Sequence, residues 1–127
     1  LLGADRSVGA SVHGPDALAA AAGANFALAG TVFTSASHPE RPGIGAGGLS
    51  GILAAAPGIP VLGIGGLDDD RVSAVLAAGA HGVAVLSGIW GRRDPAAAVL
   101  DYLAALNGAA HQLLSSTDRR EAIEEKR

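Results

Sequence analysis

The chain has 127 residues, enough for one domain with a buried core. Hydrophobic residues make up 49% and charged residues 17%, which argues against disorder, and a net charge of −3 without a basic stripe argues against nucleic-acid binding. Cysteine is absent, which excludes disulfides and thiolate chemistry and fits a cytoplasmic location. No apolar run approaches the roughly 20 residues of a membrane span.

The hydrophobic pattern alternates between strands and helices along the chain. Strands are predicted at residues 7–13, 24–30, 61–64 and 83–86, and helices at residues 14–22, 49–56, 68–78 and 94–106. The remaining segments are predicted to be a long polar loop at residues 31–48, short loops at 65–67 and 87–89, and a polar tail at 107–127 with a charged helical end. The first residues lack the parts of a signal peptide, and we expect the chain to begin inside a fold.

Alternation of strands and helices predicts a parallel α/β sheet with right-handed crossovers. Four strand–helix units are half of an eight-unit barrel, and an open four-stranded sheet is the alternative. A half-barrel has two unpaired strand edges. We therefore expect either a piece of a longer protein or a homo-oligomer that covers these edges.

Small residues follow two neighbouring predicted strands at the point where each strand ends. Gly65 and Gly66 come after the third strand, and Ser87 and Gly88 come after the fourth. A tight turn alone would need glycine, but a missing Cβ also lets an anion approach the backbone N–H groups. Two such loops at one edge of a parallel sheet predict a phosphate site. Their spacing is not the dinucleotide-binding fingerprint.

Two other polar segments are candidates for chemistry. Ser11 and His13 share one strand face, either as a polar strand end or as donors in a pocket, and no acid is evident that would orient a Ser–His nucleophile pair. The loop at residues 31–43 carries four hydroxyls with His38 and Arg41, which suit phosphate oxygens, although a solvated surface loop is the alternative. No His, Asp or Glu set has metal-ligand spacing, and His81 and His111 are predicted to lie at the surface.

Five segments in order resemble thiamine phosphate synthase and its thiazole tautomerase-like (TenI) relatives. They are residues 11–13, 23–26, 30–37, 60–67 and 78–89. The match runs over residues 1–106 and covers only the second half of a family member. It implies a domain at 1–106 that is the C-terminal half of a TIM (β/α)8 barrel, with residues 107–127 as a tail.

The resemblance also implies a reaction and a set of site residues. The family synthase joins hydroxymethylpyrimidine pyrophosphate to thiazole phosphate and releases pyrophosphate with Mg²⁺, whose ligands lie in the unmatched half. By position, Ser11 would contact the pyrimidine substrate. Residues implied at the thiazole phosphate are Ser35, Ala36, Ser37, Gly66, Leu86 and Ser87. His38 stands at the catalytic position where the family pattern has Lys beside the leaving group.

Two departures from the family pattern leave three functions open. His38 replaces a permanent cation, for which Arg41 is a candidate substitute, and Thr31 stands where the tautomerase relatives have His. The leading interpretation is a thiamine phosphate synthase-like transferase acting on small phosphate and pyrophosphate substrates. The alternatives are a thiazole tautomerase-like paralogue and a non-catalytic remnant that binds a phosphate ligand.

Overall fold

A computed structural model describes residues 5–55 and 58–124. Four parallel strands form one sheet in the order in which they occur along the chain: β1 (Gly9–Val12), β2 (Phe26–Gly30), β3 (Val61–Ile64) and β4 (Gly82–Ala84). Each strand pairs with the next, so that Ser11 lies opposite Leu28 and Gly63 opposite Val83. The predicted fold class of four parallel strands alternating with helices is confirmed.

Helical segments connect the strands. A 3₁₀ helix (Pro15–Ala21) follows β1, and the α-helix α1 (Gly45–Ala55) follows β2 after a long loop. After β3 come a 3₁₀ turn (Asp69–Arg71) and α2 (Val72–Ala77). After β4 come the single turn α3 (Ser87–Trp90) and the long helix α4 (Pro95–Glu124).

The core lies between one face of the sheet and the helices. Ala27, Ala29 and Val61 are fully buried on that face, and they pack in one cluster with Ile52 of α1 and Val75 of α2. Small and β-branched side chains fill this layer, as expected for a parallel sheet covered by helices. The opposite face of the sheet is only half-buried.

Within the described residues, β1 and β4 each pair with a single neighbour. That a longer chain or a homo-oligomer covers these edges stays a prediction. In the same part of the chain, no helix combines the length and the apolarity that crossing a bilayer requires.

Several predicted boundaries are wrong. The first helix is a 3₁₀ helix, a form common in short connections. Helix α1 begins at Gly45 rather than at residue 49. Its start is held by two hydrogen bonds to residues that follow β2, because the N–H of Ile44 donates to the carbonyl of Thr31 at 2.9 Å and the N–H of Gly45 donates to the carbonyl of Val32 at 2.8 Å. The glycines of residues 43–48 had suggested a longer loop.

The ends of the last two elements also differ from the prediction. Residues 87–89, predicted as a loop, lie in α3, where the N–H of Trp90 bonds to the carbonyl of Leu86 at 3.0 Å. The last helix does not stop at residue 106, because Ala109 is buried in one cluster with Val72 and Leu76 and tertiary packing outweighs the helix-breaking Asn107–Gly108 pair. Predictions for residues 1–4, 56–57 and 125–127 lie outside the described residues. The domain boundary at residue 106 stays a prediction.

A methyl group added at Gly63 tests the packing of the core. A Cβ there would lie 2.8 Å from Cγ1 of Val75 and 3.4 Å from Cγ2 of Val32. We expect Gly63→Ala to lower the free energy of unfolding by about 1–3 kcal/mol through overpacking, measured by urea denaturation. The loss should be smaller in a Val75→Ala background.

Gly51→Ala is the matched control, because a Cβ at this helical position meets nothing within 4 Å. It should raise stability by up to about 1 kcal/mol through helix propensity. Equal effects of the two alanines, or full additivity with Val75→Ala, would contradict the packing described here.

Candidate phosphate site at the carboxyl edge of the sheet

The loop after β3 is a tight turn that only glycine fits. Gly65 and Gly66 have φ angles of +97° and +61°. A Cβ at Gly65 would lie 2.6 Å from Cγ2 of Thr31, and one at Gly66 would overlap the carbonyl oxygen of Phe33. The neighbouring loop is bonded to this turn, since the N–H of Phe33 donates to the carbonyl of Gly65 at 3.1 Å. The two glycines therefore satisfy both the backbone conformation and the close approach of a second loop.

The segment after β4 is also packed closely against neighbouring residues. Ser87 and Gly88 begin α3, and a Cβ at Gly88 would overlap the hydroxyl of Tyr102 and lie 2.8 Å from the carbonyl oxygen of Leu67. Leu86, just before this turn, is 71% exposed. The segment around Ser87 is thus packed directly against the glycine turn.

Backbone donors remain free where the two loops meet. In residues 5–55 and 58–124, no protein hydrogen bond is donated by the N–H groups of Gly65, Gly66, Leu67, Ser87 or Gly88. Unbonded N–H groups that converge on one place form a cradle for an anion. We refer to these five residues below as the cradle.

All residues of the cradle except Gly88 line an open cleft of about 210 Å³. This is smaller than the roughly 300–1,000 Å³ of sites that enclose drug-sized ligands. The cleft therefore suits a small phosphate ester or one end of a larger ligand. Its lining includes six of the eight residues that the sequence suggested: Ser35, Ser37, His38, Gly66, Leu86 and Ser87.

Ser11 and Ala36 are not part of this lining. Ser11 is exposed on the edge strand β1, opposite Leu28, so its contact with a substrate stays a prediction. His13 lies beyond the end of the same strand, with its Nδ1 2.6 Å from the carbonyl oxygen of Gly30. His81 and His111 are exposed, as predicted.

His38 is held at the rim of the cleft by a turn. Its N–H lies 3.2 Å from both the carbonyl oxygen and the hydroxyl oxygen of Ser35. The ring Nδ1 is 3.4 Å from Oε1 of Glu40, and both side chains are mostly exposed. Arg41 does not line the cleft; its Nε is 3.9 Å from the same carboxylate. Within residues 5–55 and 58–124, His38 is the only titratable side chain of the lining, and no Lys or Arg belongs to it.

Four further lining residues were not assigned from the sequence: Ile64, Leu67, Ala84 and Val85. Gly65 was predicted together with Gly66, and Thr31 as part of the hydroxyl-bearing loop at residues 31–43; both directly follow strands, where the carboxyl ends of a parallel sheet bind ligands. The others point to no chemistry by residue type.

A buried tyrosine lies behind the cradle. Tyr102 of α4 is 4% exposed, and its hydroxyl donates to the carbonyl oxygen of Leu67 at 2.8 Å. Burial raises the pKa of this phenol above its ordinary value of 10.0, while the nearby Arg92 opposes the shift. Arg92 itself is paired with Asp69 at 2.7 Å.

Comparison with known proteins shows the family to which this chain belongs. Residues 1–89 match the family model of thiamine monophosphate synthase. The chain belongs to this family. A thiamine-phosphate synthase of Salinibacter ruber is 38% identical over 115 residues, covering 88% of this chain and 50% of the relative. One from Laribacter hongkongensis is 43% identical over 110 residues, covering 85% and 51%.

A solved family structure confirms the architecture. Thiamine phosphate pyrophosphorylase from Pyrococcus furiosus superposes with a TM-score of 0.71 at 32% identity, covering 80% of this chain and 48% of that one. The chain thus spans about half the length of the family members it matches. Its four strands correspond to about half of a TIM-barrel-type structure.

The buried phenol of Tyr102 predicts a pH dependence of stability. Because its pKa is higher in the folded than in the unfolded chain, its contribution is fully present below pH 10.0 and is lost as pH rises through the raised value. We expect urea denaturation between pH 9 and about 11.5 to show a steeper fall in the free energy of unfolding for the wild type than for Tyr102→Phe. Parallel curves would contradict the assignment.

Proposed function

We propose that the cradle binds the phosphate of a small phosphate ester, and that the ester is the thiazole phosphate substrate of the family synthase. The observation that carries the proposal is that two neighbouring segments with unbonded N–H groups line one cleft, and that Ser87 with its hydroxyl is among the lining residues. Membership of the thiamine monophosphate synthase family supports thiazole phosphate as the ester. The role that follows is a step of thiamine biosynthesis.

Charge at the cleft comes from backbone dipoles rather than cationic side chains. Phosphate oxygens accept hydrogen bonds from N–H groups whose dipoles are already oriented, so binding needs little rearrangement. Ser35 and Ser37, which carry hydroxyls, also line the cleft. Such a site binds an anion by hydrogen-bond number and geometry, with a weaker dependence on salt than an Arg or Lys site.

The reaction we propose for the complete gene product joins thiazole phosphate to hydroxymethylpyrimidine pyrophosphate. The bond from the pyrimidine methylene to pyrophosphate breaks, the thiazole nitrogen supplies the electron pair of the new bond, and pyrophosphate leaves. We propose that His38 acts at the leaving group, where its ring carries a positive charge only when it is protonated. Glu40, at 3.4 Å, would then partly offset its charge.

The family reaction also uses Mg²⁺. In the part of the chain that the structure describes, no group of three His, Cys, Asp or Glu side chains is placed to hold a metal ion. We therefore propose that the Mg²⁺ ligands lie in the half of the barrel that this chain does not match.

One observation favours a second candidate, a non-catalytic phosphate-ligand-binding domain. Among the residues that the structure describes, no permanently charged side chain lines the cleft, whereas a departing pyrophosphate develops strong negative charge. Binding of a phosphate ester needs only the cradle, so it would survive the loss of the leaving-group cation.

Ser87→Asp tests the phosphate site. A carboxylate at this position would repel the phosphate and compete for the free N–H groups, so we expect affinity for thiazole phosphate to fall at least about 100-fold, equivalent to about 2.7 kcal/mol. Isothermal titration calorimetry on the complete gene product measures it. Ser73→Asp, the same change at an exposed position of α2, is the control and should leave affinity unchanged. Unchanged affinity of Ser87→Asp would refute the site.

His38→Lys tests the synthase reaction. A permanent cation at the family position should stabilise departing pyrophosphate, and we expect kcat for thiamine phosphate formation to rise about tenfold or more with little change in the KM for thiazole phosphate. The control is Arg41→Lys, which keeps the charge outside the cleft. No product from the wild type or from His38→Lys, at any enzyme level, would rule out the synthase and leave the binding function.

A further inference from the structure

Two consecutive carbonyl groups of the loop after β3 are held from outside the cleft. The Gly66 oxygen accepts a hydrogen bond from Nη1 of Arg71 at 2.7 Å, and the Leu67 oxygen accepts one from the hydroxyl of Tyr102 at 2.8 Å. We infer that Arg71 and Tyr102 are positioning residues that set the orientation of the cradle and thereby its affinity for phosphate. The inference rests on the proposed phosphate site.

The link from carbonyl to donor is the planar peptide group. In a trans peptide, the C=O of one residue and the N–H of the next point in opposite directions. Holding the carbonyl of Gly66 therefore orients the N–H of Leu67 away from Arg71. The carbonyl of Leu67 belongs to the peptide group on the other side of the Leu67 Cα. Because both peptide groups that flank this Cα are held, Leu67 cannot rotate without breaking one of the two bonds.

Arg71 makes three contacts that together fix its guanidinium. Besides Gly66, its Nε lies 3.4 Å from Oδ2 of Asp68, and its central carbon lies 5.0 Å from the ring centroid of Phe33. Since Phe33 belongs to the loop after β2, Arg71 joins that loop to the glycine turn. The side chain is 45% exposed, so the ion pair adds little by itself. The planar fork that stacks on a ring while donating to a carbonyl is a geometry that Lys cannot reproduce.

Tyr102 joins the two halves of the cradle. Its hydroxyl reaches the Leu67 carbonyl in the loop after β3, and the same hydroxyl occupies the space that a Cβ at Gly88 would need in the loop after β4. One buried side chain therefore sets the spacing between the glycine turn and the Ser87 turn. Long helix α4 supplies it, 35 residues away from Leu67 in sequence.

Neither residue lines the cleft, so neither is expected to contact the ligand. Their role is to hold backbone donors in place before the anion arrives, which is how a supporting shell contributes to binding. A purely structural role predicts loss of thermal stability without loss of affinity in the protein that remains folded. A positioning role predicts that affinity falls even well below the melting temperature.

The experiment is a titration of ¹⁵N-labelled protein with inorganic phosphate, followed by NMR at the amides of the cradle. We expect Arg71→Lys and Tyr102→Phe each to weaken the phosphate affinity about tenfold at 25 °C, and to speed hydrogen exchange of the Leu67 amide. Arg93→Lys, the same change at an exposed residue outside the cleft, should match the wild type.

The outcomes separate the two proposals. If the wild type shows no phosphate-dependent shifts at the cradle, the phosphate site fails and the positioning role fails with it. If the wild type binds phosphate while Arg71→Lys and Tyr102→Phe bind equally well, the positioning role alone is overturned. The positioning role is also overturned if Arg71→Ala weakens phosphate binding and Arg71→Lys restores the wild-type affinity, because charge rather than geometry would then be responsible. Should Tyr102→Phe not fold, Phe33→Leu removes the ring partner of Arg71 and should weaken binding in the same direction.

Discussion

The site depends on the close approach of two loops at the carboxyl edge of a parallel sheet. The loop after β2 lies so near the loop after β3 that a Cβ at Gly65 would lie 2.6 Å from the side chain of Thr31. A Cβ at Gly66 would overlap the carbonyl oxygen of Phe33, and both glycines adopt positive φ angles. A turn made under this constraint leaves its N–H groups without protein acceptors. The geometry that forces glycine thus also leaves free the donors that we propose bind an anion.

In the function that we propose, binding and catalysis would rest on different kinds of group. The cradle consists mainly of backbone N–H groups, which no side-chain substitution removes directly, provided that the turn keeps its shape. Charge at the leaving-group side would come from a single side chain, so one substitution changes it. His38 stands there beside Glu40 at the rim of the cleft. Under that proposal, a family member could keep phosphate binding while a single substitution alters its transfer chemistry.

Sequence reasoning succeeds where one local rule dominates and fails where distant packing decides. Strand β3 was predicted with its observed bounds because an apolar run ends directly in two glycines. The third helix was also predicted to start at Asp68, and the carboxylate of Asp68 caps it by accepting from the N–H of Arg71 at 3.1 Å. The length of α4 was missed because burial of Ala109 against α2 compensates for the helix-breaking glycine before it.

The sequence by itself determined the alternation of strands and helices, the parallel sheet and the two small-residue loops that follow neighbouring strands. Periodicity and glycine placement are local, and local patterns can be read from residue order. Only the tertiary structure decided that Ser11 stays outside the cleft and that Arg71 and Tyr102 hold two adjacent carbonyls. Tyr102 and Leu67 are 35 residues apart, and their contact follows from how α4 packs against α2 and α3 rather than from any motif. No periodicity in a single chain encodes such a contact.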